Sequence, residues 1–190
     1  MSNLSISEIS EQLARIDGLS DEAMAYLHRQ IRNWANQGLI VPAGSRGYGR
    51  TAAALFDETA LGKCRIFSVL TDLGFDVSRL RQVNQDLRDS LVGSDWENRP
   101  ASLKVDGGWT SNGVVADAME GIRQGETWGF QITLVLDTNG RKRVAGRVTW
   151  PETRVSPIGS AAFDSKILAS VSLSLNDLLA PIVERKLNDA

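Results

Sequence analysis

The sequence has very little of what chemistry at a protein site most often uses. Among 190 residues there is one cysteine, Cys64, and one histidine, His28. A lone cysteine excludes an internal disulfide and fits a reducing compartment. One cysteine and one histidine cannot assemble the usual multi-ligand metal site, so no metal and no cofactor is expected. The chain has no Walker loop, no Gly-x-Gly-x-x-Gly, no Gly-x-Ser-x-Gly and no His-Glu-x-x-His. No nucleophile stands in a known motif with His28, and Asp106, Asp117 and Glu120 are scattered. No catalytic residue is assigned and an enzyme is not expected. No apolar run reaches the ~18 residues of a membrane helix. Met-Ser-Asn-Leu-Ser-Ile at the start has no basic stretch leading into an apolar one. No signal peptide and no membrane partner are therefore expected, and the expected compartment is the cytoplasm.

Excess positive charge is also missing, with 21 basic against 23 acidic residues. The balance changes locally. Between Tyr26 and Arg65 stand Arg29, Arg32, Arg46, Arg50, Lys63 and Arg65, against only Asp57 and Glu58, a local charge of +4. A basic patch inside an acidic chain is compatible with phosphate contact, on which total charge says little. Ser5 to Ile16 reads as a helix with apolar Ile6, Ile9, Leu13 and Ile16. Ser20 caps a second helix over Asp21–Leu27. The stretch from His28 to Gln37 is helical too, with Ile31, Trp34 and Ala35 on one stripe. Gly38 supplies a left-handed cap and Pro42 keeps the helix from resuming. Two readings fit: a separate helix over 28–37, or one continuous helix from Asp21 to Gln37. The polar side of 28–37 carries Arg29, Gln30, Arg32, Asn33 and Asn36 and no acid. Arginine matches guanine edges, and asparagine or glutamine matches adenine, so this face suits a DNA major groove. Trp34 is expected behind the helix, in the core.

The run Arg29-Gln30-Ile31-Arg32-Asn33-Trp34-Ala35-Asn36-Gln37-Gly38-Leu39-Ile40-Val41-Pro42 resembles the recognition helix of MerR-like winged helix-turn-helix regulators. Arg46-Gly47-Tyr48-Gly49-Arg50 is similar to the family's wing. Phe56-Asp57-Glu58-Thr59-Ala60-Leu61 is similar to the opening of its third helix. Leu70 to Val83, with Gly74-Phe75, is similar to the join between its third and fourth helices. The resemblance covers roughly residues 20–90. It implies double-stranded DNA as partner, read by helix 28–37 through Arg29, Gln30, Arg32 and Asn33. It also implies phosphate contacts from the wing, residues 45–56, through Arg46, Tyr48 and Arg50. The chain departs from the family in four ways. Thr51 to Leu55 are extra residues in the wing, Phe56 replaces a tyrosine, Asn33 replaces an aromatic, and one helix more than usual precedes the reading helix. The lone Cys64 also excludes the thiol metal sensing known in part of the family.

The second half reads as a different module, with a boundary near Ser90 to Pro100. The helix through Ser78–Leu87, apolar at 80, 83 and 87, does not continue as heptads, so no long coiled coil is expected. Thr127–Leu136 and Arg143–Trp150 read as strands. A three-residue loop, Thr138 to Gly140, sets Leu134 against Val144, Phe130 against Val148 and Trp128 against Trp150, gathering one apolar face. Ile167 to Leu175 alternates with serine and reads as another strand. Helices are expected near 112–123 and over 176–188, where Leu178, Leu179, Ile182, Val183 and Leu187 are apolar and Pro181 is read as near the first turn. Trp109, Trp128 and Trp150 read as core, and Arg141-Lys142-Arg143 as a solvated tip.

The expected fold class is therefore α+β: a mostly helical winged helix-turn-helix over 1–92, then a small α+β domain with an antiparallel sheet over 100–190. The expected function is sequence-specific DNA-binding transcriptional regulation. The C-terminal half is expected to build a homodimer through the apolar face of helix 176–188 or the edge of its sheet. The alternative is a non-catalytic protein-interaction adaptor, such as a plasmid or phage accessory protein, with a degenerate helix-turn-helix. A small-molecule sensor is a third, more remote reading.

Overall fold

The computed structural model describes residues 3–47, 52–89, 104–105, 108–109, 112–149 and 166–188. Among these the protein is α+β, with six helices and three small antiparallel sheets. No described helix is long and apolar enough to cross a membrane. The chain forms two compact units, Met1–Leu80 and Arg81–Ala190.

In the first unit, α1 (Ile6–Asp17) starts at a reciprocal cap. The Ser5 hydroxyl accepts from the Glu8 N–H at 3.3 Å, and the Glu8 carboxylate accepts from the Ser5 N–H at 2.6 Å. That backbone N–H, first among several groups, holds the Glu8 carboxyl below its ordinary range. Gly18, in the left-handed region, closes the helix. Only Gly18, Leu19 and Ser20 separate it from α2 (Asp21–Asn36), where Ser20 accepts from the Ala23 N–H. Helix α2 is continuous, so the second of the two sequence readings holds. Leu27, Ile31 and Trp34 are buried along one stripe, which binds both halves of the helix to one core. Gly38 (φ 70°) then ends it. Its N–H bonds the Ala35 carbonyl and the Leu39 N–H reaches the Trp34 carbonyl, the double closure that a left-handed glycine permits.

A hairpin follows, β1 (Gly44–Arg46) and β2 (Ala53–Leu55), pairing Gly44 with Leu55 and Arg46 with Ala53. The residues that looked like an insertion between Arg50 and Phe56 thus include the returning strand itself. Leu4 and Phe56 exchange two backbone hydrogen bonds of 2.8 Å beside it. Asp57 caps α3 (Glu58–Asp72), accepting from the Ala60 N–H. Trp34 is 2% exposed and meets Phe67 of α3 edge-on at 5.8 Å. Arg65 of α3 pairs with Asp17 of α1 at 2.6 Å.

Helix α4 (Val77–Asp89), capped by Asp76, runs through the division between the units. The boundary expected near residues 90–100 lies outside the described residues. The second unit also holds β3 (Lys104–Val105), β4 (Gly108–Trp109), α5 (Val114–Arg123), β5 (Gly129–Leu136), β6 (Lys142–Thr149), β7 (Lys166–Ser174) and α6 (Leu175–Asn188). Its main sheet has the order β6-β5-β7, all antiparallel. Leu134 faces Val144 and Phe130 faces Val148, the register expected from a three-residue loop with Gly140 at φ 73°. The loop is tied by Asp137, whose carboxylate accepts from the N–H groups of Asn139 and Arg141 and pairs with Arg143. Trp150, the expected partner of Trp128, lies outside the described residues.

Two side chains of α4 cover the outer edge of β6. Gln82 Oε1 accepts from the Val144 N–H at 2.8 Å, and Asp86 Oδ2 from the Gly146 N–H at 2.7 Å. Inside the unit, Trp128 is buried. Its N–H donates to Asn176 Oδ1, its carbonyl accepts from the Leu175 N–H, and its indole N–H donates to Glu126. The indole and that carboxylate lie where a Cβ on Gly121 would stand, so only glycine fits there. Helix α6 corrects two expectations. Pro181 is its seventh residue, well inside the helix, where a backbone hydrogen bond is forgone. Leu179, Ile182 and Val183 are buried within this single chain, with α5 packed against α6. Those three side chains are not open to a second copy, and Leu178 is half-buried. The side chain of Leu187 lies outside the described set.

Candidate nucleic-acid interface

Helix α2 fixes the directions of the candidate residues. At about 100° per residue, with Leu27, Ile31 and Trp34 turned inward, the outward face centres on Arg29. Asp21, Glu22, Ala25, Tyr26, Arg29, Arg32, Asn33 and Asn36 are all exposed. Three of the four expected reading residues, Arg29, Arg32 and Asn33, therefore share one open face. Gln30 is half-buried and sits on its flank. Arg46 is exposed on β1. Tyr48 and Arg50 lie outside the described residues.

Asn36, expected on the polar side of 28–37, lies on this face, and Tyr26 is a further residue that joins it. Tyr26 is 54% exposed, and the Arg29 guanidinium lies over its ring at 5.9 Å from the centroid, within cation–π range. Asn36 continues the same stripe toward the C-terminus of the helix. The spacing of Tyr26 was available in the sequence: it precedes Arg29 by three residues and Asn33 by seven. Dividing the helix before His28 hid it.

On the opposite flank, His28 connects the two helices. Ser10, buried on α1, donates its hydroxyl proton to the Ser7 carbonyl at 2.9 Å. Its oxygen can then accept from His28 Nδ1, 3.5 Å away, a long and weak bond. That leaves Nε2 as acceptor for the Arg32 guanidinium at 3.3 Å. With a proton on Nδ1 and Nε2 as acceptor, the ring satisfies all three groups. His28 thus links α1 to the Arg32 side chain.

The electrostatics of the face are uneven. Asp21 and Glu22 occupy the first turn, complementing the helix dipole. They also repel phosphate, so an anion meets this helix best along its later turns. Arg65, counted in the basic window, is committed to Asp17. Among the described residues of this region, the exposed cations are Arg29, Arg32 and Arg46. Together with Gln30, Asn33 and Asn36 they offer directional donors, and the amides add acceptors. Such a set can bind phosphate and base edges; it contains no nucleophile with a base. Burial pushes the Cys64 thiol far up from its ordinary range, which makes it inert. Among the described residues no cluster of His, Cys, Asp and Glu could hold a metal ion. No family model matches the chain, and no curated protein matches its sequence.

Proposed function

We propose that the protein is a sequence-specific, double-stranded-DNA-binding transcriptional regulator of the MerR-like winged helix-turn-helix kind, working in the cytoplasm. Helices α1 and α2, with the three-residue turn between them, are the helix-turn-helix, and β1–β2 is the wing. The observation that carries this reading is the exposed face of α2. Arg29, Arg32, Asn33 and Asn36 stand on one side of an uninterrupted helix, three residues after α1 and shortly before a hairpin bearing Arg46. Arg29, Arg32 and Asn33 read base edges in the major groove, Gln30 contributes from the flank, and Arg46, Tyr48 and Arg50 hold phosphates. The acidic first turn lays the helix along the groove by its later turns. The operator is two-fold, so two copies act together.

Selection from a random DNA library, followed by gel-shift titration at several salt concentrations, tests the proposal. Arg32→Ala is expected to cost about 1–3 kcal/mol in specific binding and to relax base preference. Arg46→Ala is expected to weaken all sequences alike and to flatten the salt dependence by about one phosphate contact. Wild-type protein that shifts no DNA at low salt overturns the reading. The second reading is a protein-interaction adaptor, favoured by the acids at Asp21 and Glu22 and by exposed Tyr26. It predicts the absence of any salt-dependent shift.

A further inference from the structure

The two edges of the main sheet in the second unit are treated differently. The β6 edge is closed by Gln82 and Asp86 and carries Lys142, Arg143 and Arg147. Among the described residues no side chain caps the β7 edge, and its one charge is Lys166 at the start of the strand. Lys166 through Ser170 are all exposed, and no charged residue occurs from Ile167 to Asn176. An edge run without charge, proline or a covering side chain is a template for strand addition. On α6, the other expected dimer surface, Leu179, Ile182 and Val183 are already buried inside the chain.

We propose that the β7 edge pairs with β7 of a second copy, antiparallel about a two-fold axis at Ser172. The strand itself selects this occupant. Pairing with β5 shifts register between Leu134 and Val135, where Ala169 and Ile167 are the successive partners and Leu168 is the extra residue. Such a bulge ends regular pairing. The regular run is Ala169–Ser174. Folded on itself about Ser172, it sets Ser172 against Ser172 of the partner subunit, Ser170 against Ser174 of the partner subunit, and Val171 against Leu173 of the partner subunit. Serines meet serines on one face and aliphatic side chains meet on the other, with no like charges opposed. Beyond the bulge, Lys166 comes level with the first turn of the partner's α6, which carries Asp177. The result is one six-stranded sheet with both outer edges formed by the protected β6. The inference rests on the proposed function for its choice of a two-fold partner, and on the edge chemistry for its place.

Light scattering on the full chain tests it. Wild type is expected to be a dimer at micromolar concentration. Ser172→Lys and Ser172→Glu, each placing like charges on the axis, are expected to be monomers with unchanged circular dichroism, since Ser172 is exposed. Mixing the two is expected to restore a dimer. Ser172→Cys is expected to cross-link under oxidation, because the native Cys64 is buried and strand-paired residues lie within disulfide reach. A monomeric wild type, or a Ser172→Lys variant that remains dimeric, overturns the inference. A monomer that still shifts DNA overturns the dimer alone. A dimer that shifts no DNA overturns the DNA reading alone.

Discussion

Each of the two units is organised internally by a different kind of contact. In the first, helix starts are fixed within a few residues: Ser5 by Glu8, Ser20 by Ala23, Asp57 by Ala60, and Asp76 by Arg79. In the second, the organising bonds are distant in sequence. Trp128 meets Asn176, Gly146 meets Asp86, and Val144 meets Gln82. The first unit turns a charged and amide-rich helix face outward, while the second turns its aliphatic helix faces inward. Local caps leave a surface helix free to carry any exposed side chains it needs. Long-range polar bonds commit side chains that would otherwise be available to a ligand.

The largest blow to the contrast comes from Trp34. It is the main long-range element of the first unit, buried behind α2 and edge-on to Phe67. Trp34→Ala is expected to destabilise this unit by about 3–5 kcal/mol. Thermal unfolding followed by circular dichroism measures it. A variant that melts like wild type but loses DNA binding would make the indole a contact residue instead.

A smaller effect is expected from Asp86. Asp86→Ala leaves the Gly146 N–H without its acceptor and is expected to cost about 1–3 kcal/mol. Asp86→Asn keeps an acceptor oxygen and is expected to lose much less. Amide hydrogen exchange at Gly146 separates the two: rapid exchange only in the alanine variant supports an edge cap, and equal protection in both refutes it.

The smallest effect is pH-dependent. The Arg141 N–H first, with help from the Asn139 N–H and the arginines nearby, holds the Asp137 carboxyl below its ordinary value of 3.8. A carboxyl depressed by folding adds stability above its unfolded value and loses it as pH falls through the lower folded one. The hairpin is therefore expected to loosen only below about pH 3.8, and Asp137→Asn to remove that part of the acid dependence. Acid titration of the Gly140 amide signal follows it, and an identical midpoint in the variant would exclude Asp137 as the cause.

The same contrast explains what the sequence disclosed. Ser20 and Gly38 were legible as caps because their partners sit within a few positions, although the caps at Ser5, Asp57 and Asp76 were not read. The β5–β6 register was legible too, since Asp137 to Gly140 and the apolar alternation allow one consistent pairing. The continuity of α2 was not, because burial of Leu27 with Ile31 and Trp34 is a tertiary fact. For α6 the periodicity revealed an apolar face but not that this chain's own core covers it. Gln82 and Asp86 gave least away. On a helix such residues read as solvated, and only the sheet edge gives them a role. Of the candidate interface, the arginines, Asn33 and Asn36 were visible from residue type, whereas Tyr26 needed the helix to be whole.

The clamp between α4 and β6 is also a vernier. Four helical residues advance about 6 Å, and two strand residues advance about 6.8 Å. Gln82 and Asp86 stay in step with Val144 and Gly146, but each added rung would slip by nearly another ångström. The match is limited to a short length by its own pitch. It also reports on helical phase: one residue inserted between Gln82 and Asp86 would turn the second tooth by about 100° and disengage it.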